Sequence, residues 1–558
     1  MREKLYWNNQ DSKDFLAKGY LLEGETTEMA IERIANRVEH YHGSRRPGIG
    51  ERVKHHIELG NFSLSSPVFA NFGVDSTVRK GLPISCFGNR VGDSIPDIKD
   101  SLDEAIMESY LGGGTSTYWG KVRGRGSSIT GGSVSEGSFS FLPMFEEAIK
   151  TISQGGVRRG HMAFYQDISH PDVEEWLDIQ SEGNPIQVMT YGICVSDEWL
   201  EKMKAGDDHK RELWAKVLDS REKRGLPYLF FTDNVNKNKP EVYKLKQRHI
   251  EASNLCTEIM LPYADDESFV CCLSSMNLEN YDNWKDTDAV EAIVYLLDAV
   301  ISEYIEKASQ FADLYKTVNF SHRHRAIGIG ALGWHSYLQK KSIPFDDIQS
   351  VFLTGDIFKD IQAQATKVSQ DMVQVYGYDR PEIFDGTDIY MRHATLTAIA
   401  PTKSSSFILG QTSAGIEPFE SNYFVKDLAK GKTTYKNPYL TKVLEKYEKD
   451  TPETWNSILV NFGSVQHLDF LTQHERDVFK TFSEISQMTI IQQAHVRQNH
   501  LCQGQSINLK ILPSTPVREI NNLYLTAHEL GIKSLYYQYS INAAQAKFAK
   551  VGCSVCEA

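Results

Sequence analysis

The stretch SNLCTEIMLP, Ser253–Pro262, places Asn254, Cys256 and Glu258 at alternate positions. On an extended chain a two-residue period points all three side chains to one face. A thiol, an amide and a carboxylate sharing a face make a compact reactive set. A cysteine taken alone is more often a small buried hydrophobe. What surrounds the three in the rest of the chain has to separate these readings.

The chain has 558 residues, 41% hydrophobic and 24% charged, enough for a large core. No apolar run approaches the roughly 20 residues of a membrane span. The opening MREKLYWNNQDSKDF lacks the apolar segment of a secretory signal, so a soluble cytoplasmic protein is expected, with no membrane partner. A net charge of -13 argues against non-specific binding to nucleic acid. The eight cysteines, Cys86, Cys194, Cys256, Cys271, Cys272, Cys502, Cys553 and Cys556, are too sparse for a disulfide scaffold in so long a chain.

Residues 1–60 read as mostly helical, led by TTEMAIERIANRVEHY with apolar residues at helical spacing after a Thr-Thr start. From 61 to 270 short apolar runs alternate with Gly/Ser-rich turns and helical stretches. Long amphipathic helices are expected from 285 to 375, strand and loop signals return at ATLTAIAPTKSSSF, and helices follow from 465. The pattern predicts mixed α/β structure in one large domain with a mobile tail.

GIGALG, with Gly328, Gly330 and Gly333, has the spacing of a dinucleotide-binding turn, but SHRHRAI before it is no apolar strand. Close helix packing explains these glycines better. His40, His42, His322 and His324 lack ligands at helpful spacing and read as surface histidines, and no metal site is expected. APTKSSSF offers Thr402, Lys403, Ser404 and Ser405 at a helix start, either as a phosphate cradle or as an ordinary cap. SQGGVRRGH pairs flexible glycines with Arg158 and Arg159 and suits a second anionic ligand. CSVC at Cys553 and Cys556 fits a redox dithiol better than half a zinc site. Tyr536 and Tyr537 on their own read as aromatic core.

Taken in chain order, PISCFGNRVGDS, SQGGVRRG, SNLCTEIMLP, VCCLSSMNLENY, RAIGIGALGW, ATLTAIAPTKSSS, AGIEP, KSLYYQYS and a two-cysteine tail form a specific set. The set resembles the catalytic large subunit of class I ribonucleotide reductase, from about residue 20 to the C-terminus. The resemblance implies a ten-stranded α/β barrel over 61–540 with a central finger loop, a helical region over 1–60 and a flexible redox tail over 541–558. It also implies reduction of ribonucleoside diphosphates to 2′-deoxyribonucleoside diphosphates.

In that family's chemistry Cys256 would be the transient thiyl radical, Glu258 the base for the 3′-OH and Asn254 its hydrogen-bond partner. Cys86 and Cys271 would be the reducing pair, with Cys553 and Cys556 as the shuttle to thioredoxin or glutaredoxin. Tyr536 and Tyr537 would bring the radical from a separate, metal-containing small subunit, with no metal held by this chain. Ser66, Ser85 and Gly113 match substrate-contacting positions, and Thr402, Lys403, Ser404 and Ser405 match the substrate-phosphate loop. Asp93, Ser94, Ile95, Lys121 and Arg123 match the nucleoside triphosphate effector site, which lies at a homodimer interface in relatives. Gln154 and Arg158 match the loop that relays effector identity to the substrate.

Two other readings stay open: a cobalamin-dependent class II enzyme, which the Tyr-Tyr pair opposes, and an inactive nucleotide-binding homologue, which the retained Cys, Asn and Glu set opposes. Many class I large subunits begin with an ATP-binding helical domain on the order of 90 residues. The family-like helical segment here begins at Gly19, so the resemblance implies that this ATP-cone domain is lacking, and inhibition by dATP with it.

Overall fold

The computed structural model describes residues 3–79, 81–152, 160–428 and 431–540. Its strands are β1 (Phe62–Leu64), β2 (Cys86–Arg90), β3 (Thr115–Tyr118), β4 (Met162–Asp167), β5 (Thr190–Val195), β6 (Tyr228–Phe231), β7 (Phe269–Asn277), β8 (Ile327–Leu332), β9 (Tyr423–Leu428), β10 (Gly431–Lys436), β11 (Leu509–Ile511), β12 (Ser534–Leu535) and β13 (Gln538–Ser540).

Nine of these form one sheet. Its path runs β1, β7, β2, β3, β4, β5, β6, β12, and β8 pairs with the other edge of β7. From β2 to β6 the neighbours are parallel. Parallel strands covered on both faces read as continuous apolar runs, and β5 and β6 (TYGICV, YLFF) are buried throughout. One edge of β7 is shared end to end: Phe269–Cys271 pair antiparallel with β2, and Ser274–Met276 pair antiparallel with β1. This register sets Cys86 directly across from Cys271.

The α/β class is as expected. The sheet holds nine strands among the described residues where ten were anticipated, because the segment after β8 pairs only through single bridges, Ile329 with Thr397 and Ile399 with Gln505. A short parallel pair, β11 with β13, continues the chain beside Tyr537.

The helices Thr27–His42 and Ile49–Glu58 occupy the expected N-terminal region, and Thr26 caps the first by accepting from Met29 N. Their buried faces (Ile31, Ile34, Val38, Val53) belong to the same hydrophobic core as the sheet. A smaller second core gathers Leu440, Leu444, Trp455, Ile458 and Val465.

Gly328 and Gly330 correct a sequence expectation. They lie inside β8, not at a helix contact, and SHRHR ends the helix Tyr315–His324 before it. A Cβ on Gly328 would meet Leu273 Cδ2 at 2.4 Å, and one on Gly330 would meet the Ala398 carbonyl oxygen at 2.8 Å. The glycines let β7, β8 and the following segment lie side by side in close contact. Gly333 follows at φ 80°, the left-handed turn that starts the helix Trp334–Lys340. His40 and His322 are exposed as expected, but His42 and His324 are buried.

Behind β7 and β8, the helix Ala289–Ala308 buries Asp298 completely. Asp298 Oδ1 accepts from Arg325 Nε at 2.8 Å and Arg392 Nε at 3.1 Å, and lies 3.0 Å from His393 Nε2. Burial alone would raise its pKa, but the two guanidinium groups and His393 hold it well below the ordinary carboxylate range.

Candidate active site

Residues 251–262 contain no regular structure, yet Asn254 and Glu258 are fully buried. A buried loop must have its backbone groups satisfied from elsewhere. Tyr165 Oη, from β4, donates to Asn254 O at 2.7 Å. Ser506 Oγ donates to Cys256 O at 2.5 Å, and Ser534 Oγ to Thr257 O at 2.9 Å. Gly504 N donates to Glu258 O at 2.8 Å, and Met260 N donates to Gln503 Oε1 at 3.1 Å. Asn254 Oδ1 accepts from Ile259 N at 3.1 Å within the loop itself.

The expected extended alternation is therefore corrected. Leu255 and Cys256 form a turn, and Thr257 sits at φ 66° in the left-handed region. A threonine there costs on the order of 1–3 kcal/mol, tolerated because the tethers above over-determine the loop. The turn still gathers the three side chains.

Asn254 Nδ2 donates to Cys86 Sγ at 3.3 Å. Directly opposed antiparallel residues have Cα atoms about 4.5–5.5 Å apart, inside the range a disulfide spans, so Cys86 and Cys271 can oxidise without moving the sheet. Gln503 Nε2 lies 3.6 Å from Cys271 Sγ and also donates to Thr395 Oγ1 at 3.1 Å. Cys86 and Cys271 are both free thiols. Burial pushes Cys86 well above the ordinary thiol range, and Glu258 adds to that; burial likewise pushes Cys271 up. Burial raises Glu258 to about 7, against a hydrogen bond from Asn254.

Tyr536 Oη donates to Cys256 Sγ at 3.5 Å. The rings of Tyr536 and Tyr537 lie 4.4 Å apart between centroids, and both pack against Tyr228 at 4.7 and 5.1 Å. Tyr537 N donates to Asn508 Oδ1 at 3.0 Å, and Asn508 Nδ2 donates to Glu417, a buried carboxyl raised by burial to about 7 despite nearby Lys403.

Around this centre, Ser66 is buried at the start of the helix Ser66–Asn71. Ser85 Oγ and Ser65 Oγ are buried without a hydrogen-bond partner among the described residues. Orphaned hydroxyls at a reactive centre are groups that a polar ligand can satisfy. Gly113 has no room for a side chain: a Cβ would meet Phe87 Cε2 at 2.1 Å. Thr402 is left-handed at φ 52° ahead of the helix Lys403–Ile408, and its Oγ1 accepts from Gly415 N at 2.7 Å. Lys403 Nζ donates to Tyr539 Oη at 3.4 Å, Ser405 Oγ to Leu64 O at 3.1 Å, and Ser404 is half-buried beside them.

A separate exposed patch holds Asp93, Ser94, Ile95 and Arg123. Arg123 Nε donates to Asp93 Oδ2 at 2.8 Å, Ser94 caps the helix Ile95–Tyr110, and Ile95 is 67% exposed. Lys121 pairs instead with Glu251 at 2.9 Å. Gln154, Arg158, Cys553 and Cys556 lie outside the described residues. Among the described residues no group of three or more His, Cys, Asp or Glu side chains is placed to hold a metal, and no helix is long and apolar enough to cross a membrane.

Sequence reasoning missed Ser506, Gln503, Tyr165, Tyr228 and Glu417. Gln503, Gln505 and Ser506 cluster between Leu501 and Ile507, and all three are buried.

The family model of the ribonucleotide reductase barrel domain matches residues 84–210, 209–390 and 389–538. A protein of Frog virus 3 (isolate Goorha), named as a ribonucleoside-diphosphate reductase large subunit, is 36% identical over 89% of this chain and 89% of its own. The large subunit of Invertebrate iridescent virus 3 is 28% identical over 94% and 92%. The solved Actinobacillus ureae class Id ribonucleotide reductase alpha subunit superposes with a TM-score of 0.91 at 51% identity, covering 98% of this chain and 100% of that one. With its half-barrel sheet, its register-paired cysteines and its tyrosine-linked loop cysteine, the chain belongs to the ribonucleotide reductase family, as a large (alpha) subunit of its class I branch.

Proposed function

We propose that the chain reduces ribonucleoside diphosphates to 2′-deoxyribonucleoside diphosphates by radical chemistry centred on Cys256. The observation that carries this reading is the convergence on one buried loop of a tyrosine pair, a thiol, a base and a register-matched dithiol. A metal-containing small subunit supplies the oxidising equivalent when it is bound. The 3.5 Å separation of Tyr536 Oη and Cys256 Sγ suits transfer of one hydrogen atom from the thiol to a tyrosyl oxygen.

The Cys256 thiyl then takes the 3′-hydrogen of the ribose. Glu258, poised near neutrality in a dry site, accepts the 3′-OH proton while Asn254 orients it. One inner thiol protonates the 2′-OH, which leaves as water. Cys86 and Cys271 together supply two electrons and the hydrogen that ends on C2′ as their sulfurs join. Cys256 then returns the 3′-hydrogen, restoring its thiyl radical, while Glu258 gives back the 3′-OH proton. Cys553 and Cys556 then reduce that disulfide by exchange and are themselves renewed by thioredoxin or glutaredoxin. The substrate sits against Ser66, Ser85 and Gly113, with its phosphates on Thr402 to Ser405. A nucleoside triphosphate effector binds at Asp93, Ser94, Ile95, Lys121 and Arg123 in a homodimer, and Gln154 and Arg158 pass its identity to the substrate site. The organisation is a helical region over 1–60, the barrel over 61–540 and a redox tail over 541–558.

The test is reconstitution with a class I small subunit, a ribonucleoside diphosphate and a dithiol, measuring deoxynucleotide formed. Turnover that requires the partner and disappears in Cys256→Ser is expected. Turnover with adenosylcobalamin and no partner would overturn the class I assignment.

A further inference from the structure

Ser506 Oγ lies 2.5 Å from the carbonyl oxygen of Cys256 and 3.1 Å from Glu258 Oε2. Ser506 is 2% exposed. A hydroxyl carries one proton, whereas an ionised Glu258 and a carbonyl are both acceptors. With Glu258 ionised, one of the two contacts goes without a hydrogen. With Glu258 protonated, the conflict ends: the carboxylic acid donates to Ser506 Oγ, and Ser506 donates to Cys256 O.

The shorter contact is the one to the carbonyl, so the hydroxyl proton resides there and the Ser506 lone pairs face Glu258. The other groups around Glu258 are Cys86 of β2, Cys271 of β7, Tyr165 of β4, and Asn254 and Cys256 of its own loop. Burial holds Cys86, Cys271 and Tyr165 neutral. Ser506 is thus a group able to tie the charge of Glu258 to the position of the cysteine backbone.

We propose that Ser506 is a positioning residue that links proton uptake by Glu258 to the backbone of the Cys256 loop. The inference rests on the assignment of Glu258 as the base. When the 3′-OH proton moves onto Glu258, the new carboxyl O–H donates to Ser506, whose own O–H stays intact and locks onto Cys256 O. No bond of Ser506 breaks. The loop is held most firmly at the stage when the base carries the substrate's proton, and returning that proton slackens it.

A carboxylic acid that donates to Ser506 is stabilised in its protonated form, so removing the hydroxyl lowers the Glu258 midpoint. If Ser506 instead donates to the carboxylate, removal raises it. The sign discriminates between the two. The experiment follows the carboxylic C=O infrared band of the full-length protein against pH, with Glu258→Gln as the blank that assigns the band. Ser506→Ala is expected to lower the midpoint by about one pH unit, and Ser506→Thr to restore it. Ser506→Cys keeps the volume with a weak donor and acceptor; it shifts in the same direction and serves if the alanine variant misfolds. The acidic limb of kcat/KM should move with the infrared midpoint. An unchanged or raised midpoint in both variants overturns the link. Separately, wild-type turnover by Glu258→Gln would remove the base assignment itself, whatever the midpoint does.

Discussion

Tyr536 Oη and Cys256 Sγ are 3.5 Å apart although they belong to the strand end after β12 and to a loop on the opposite side of the sequence. Ser534 binds that loop at Thr257 O, which fixes the distance from two residues away. Tyr536→Phe keeps the ring and its packing on Tyr228 and Tyr537 but removes the hydroxyl. Turnover is expected to fall to background while stability changes by only about 0.5–1.5 kcal/mol, the worth of one hydrogen bond. Tyr537→Phe should behave alike. Chemical denaturation alongside product assays checks both, and wild-type rates would return the pair to a packing role.

The two cysteine pairs separate by turnover number. Cys86→Ser is expected to block even the first turnover of pre-reduced enzyme. Cys553→Ser or Cys556→Ser should permit one turnover and then stall with thioredoxin. Rapid-quench measurement of product per active site distinguishes them; loss of the first turnover in the tail variants would refute the shuttle.

Glu258 and Glu417 are both raised by burial to about 7 from 4.5. A carboxyl with a folded pKa above its unfolded one binds more protons folded between those values, so this contribution to stability falls as pH rises from 4.5 through about 7. Glu258→Gln is therefore expected to be more stable than the parent above neutrality, by on the order of 1–3 kcal/mol. Its turnover should drop by about 10²–10⁴, and in the parent the activity should rise with pH through about 7. Urea denaturation on either side of neutrality, paired with kinetics, tests the trade; equal stabilities at all pH values would contradict it.

Asp298 carries the opposite sign. Its depressed pKa gives stability that is present above the ordinary Asp value of 3.8 and is lost as pH falls below it. Asp298→Asn leaves Arg325 and Arg392 without a buried counter-charge and is expected to cost about 3–5 kcal/mol. A melting temperature within a degree or so of the parent would show that the guanidinium groups find water or another partner.

Asp93→Ala is expected to weaken nucleoside triphosphate binding and to flatten the effector-dependent differences among ribonucleoside diphosphate substrates, leaving turnover of the best substrate largely intact. Retained effector dependence would place the effector elsewhere than the Asp93–Arg123 pair.

Much of the centre was legible because its residues carry chemistry in their types. Asn254, Cys256 and Glu258 could be named from spacing, even though the spacing is realised by a turn and not a strand. The grouping of Cys86 with Cys271 came through resemblance, since it depends on the register of β7, which no local pattern encodes. β8 was misread because its two interior glycines, needed for contact with Leu273 and Ala398, dilute the apolar signal of a buried strand. Ser506 and Gln503 were invisible for a related reason. Their work is to satisfy a loop about 250 residues away, a relation that exists only once the chain is folded.

The same burial that opposes ionisation of Cys86 and Cys271 sets their chemistry toward outside reagents. Only thiolates attack electrophiles, and a buried thiol kept protonated is a poor nucleophile. The inner dithiol is thus expected to resist alkylation and peroxide, though its sulfurs are free. Shielding from chemical damage and restricted access for any bulky reductant are two consequences of the same burial.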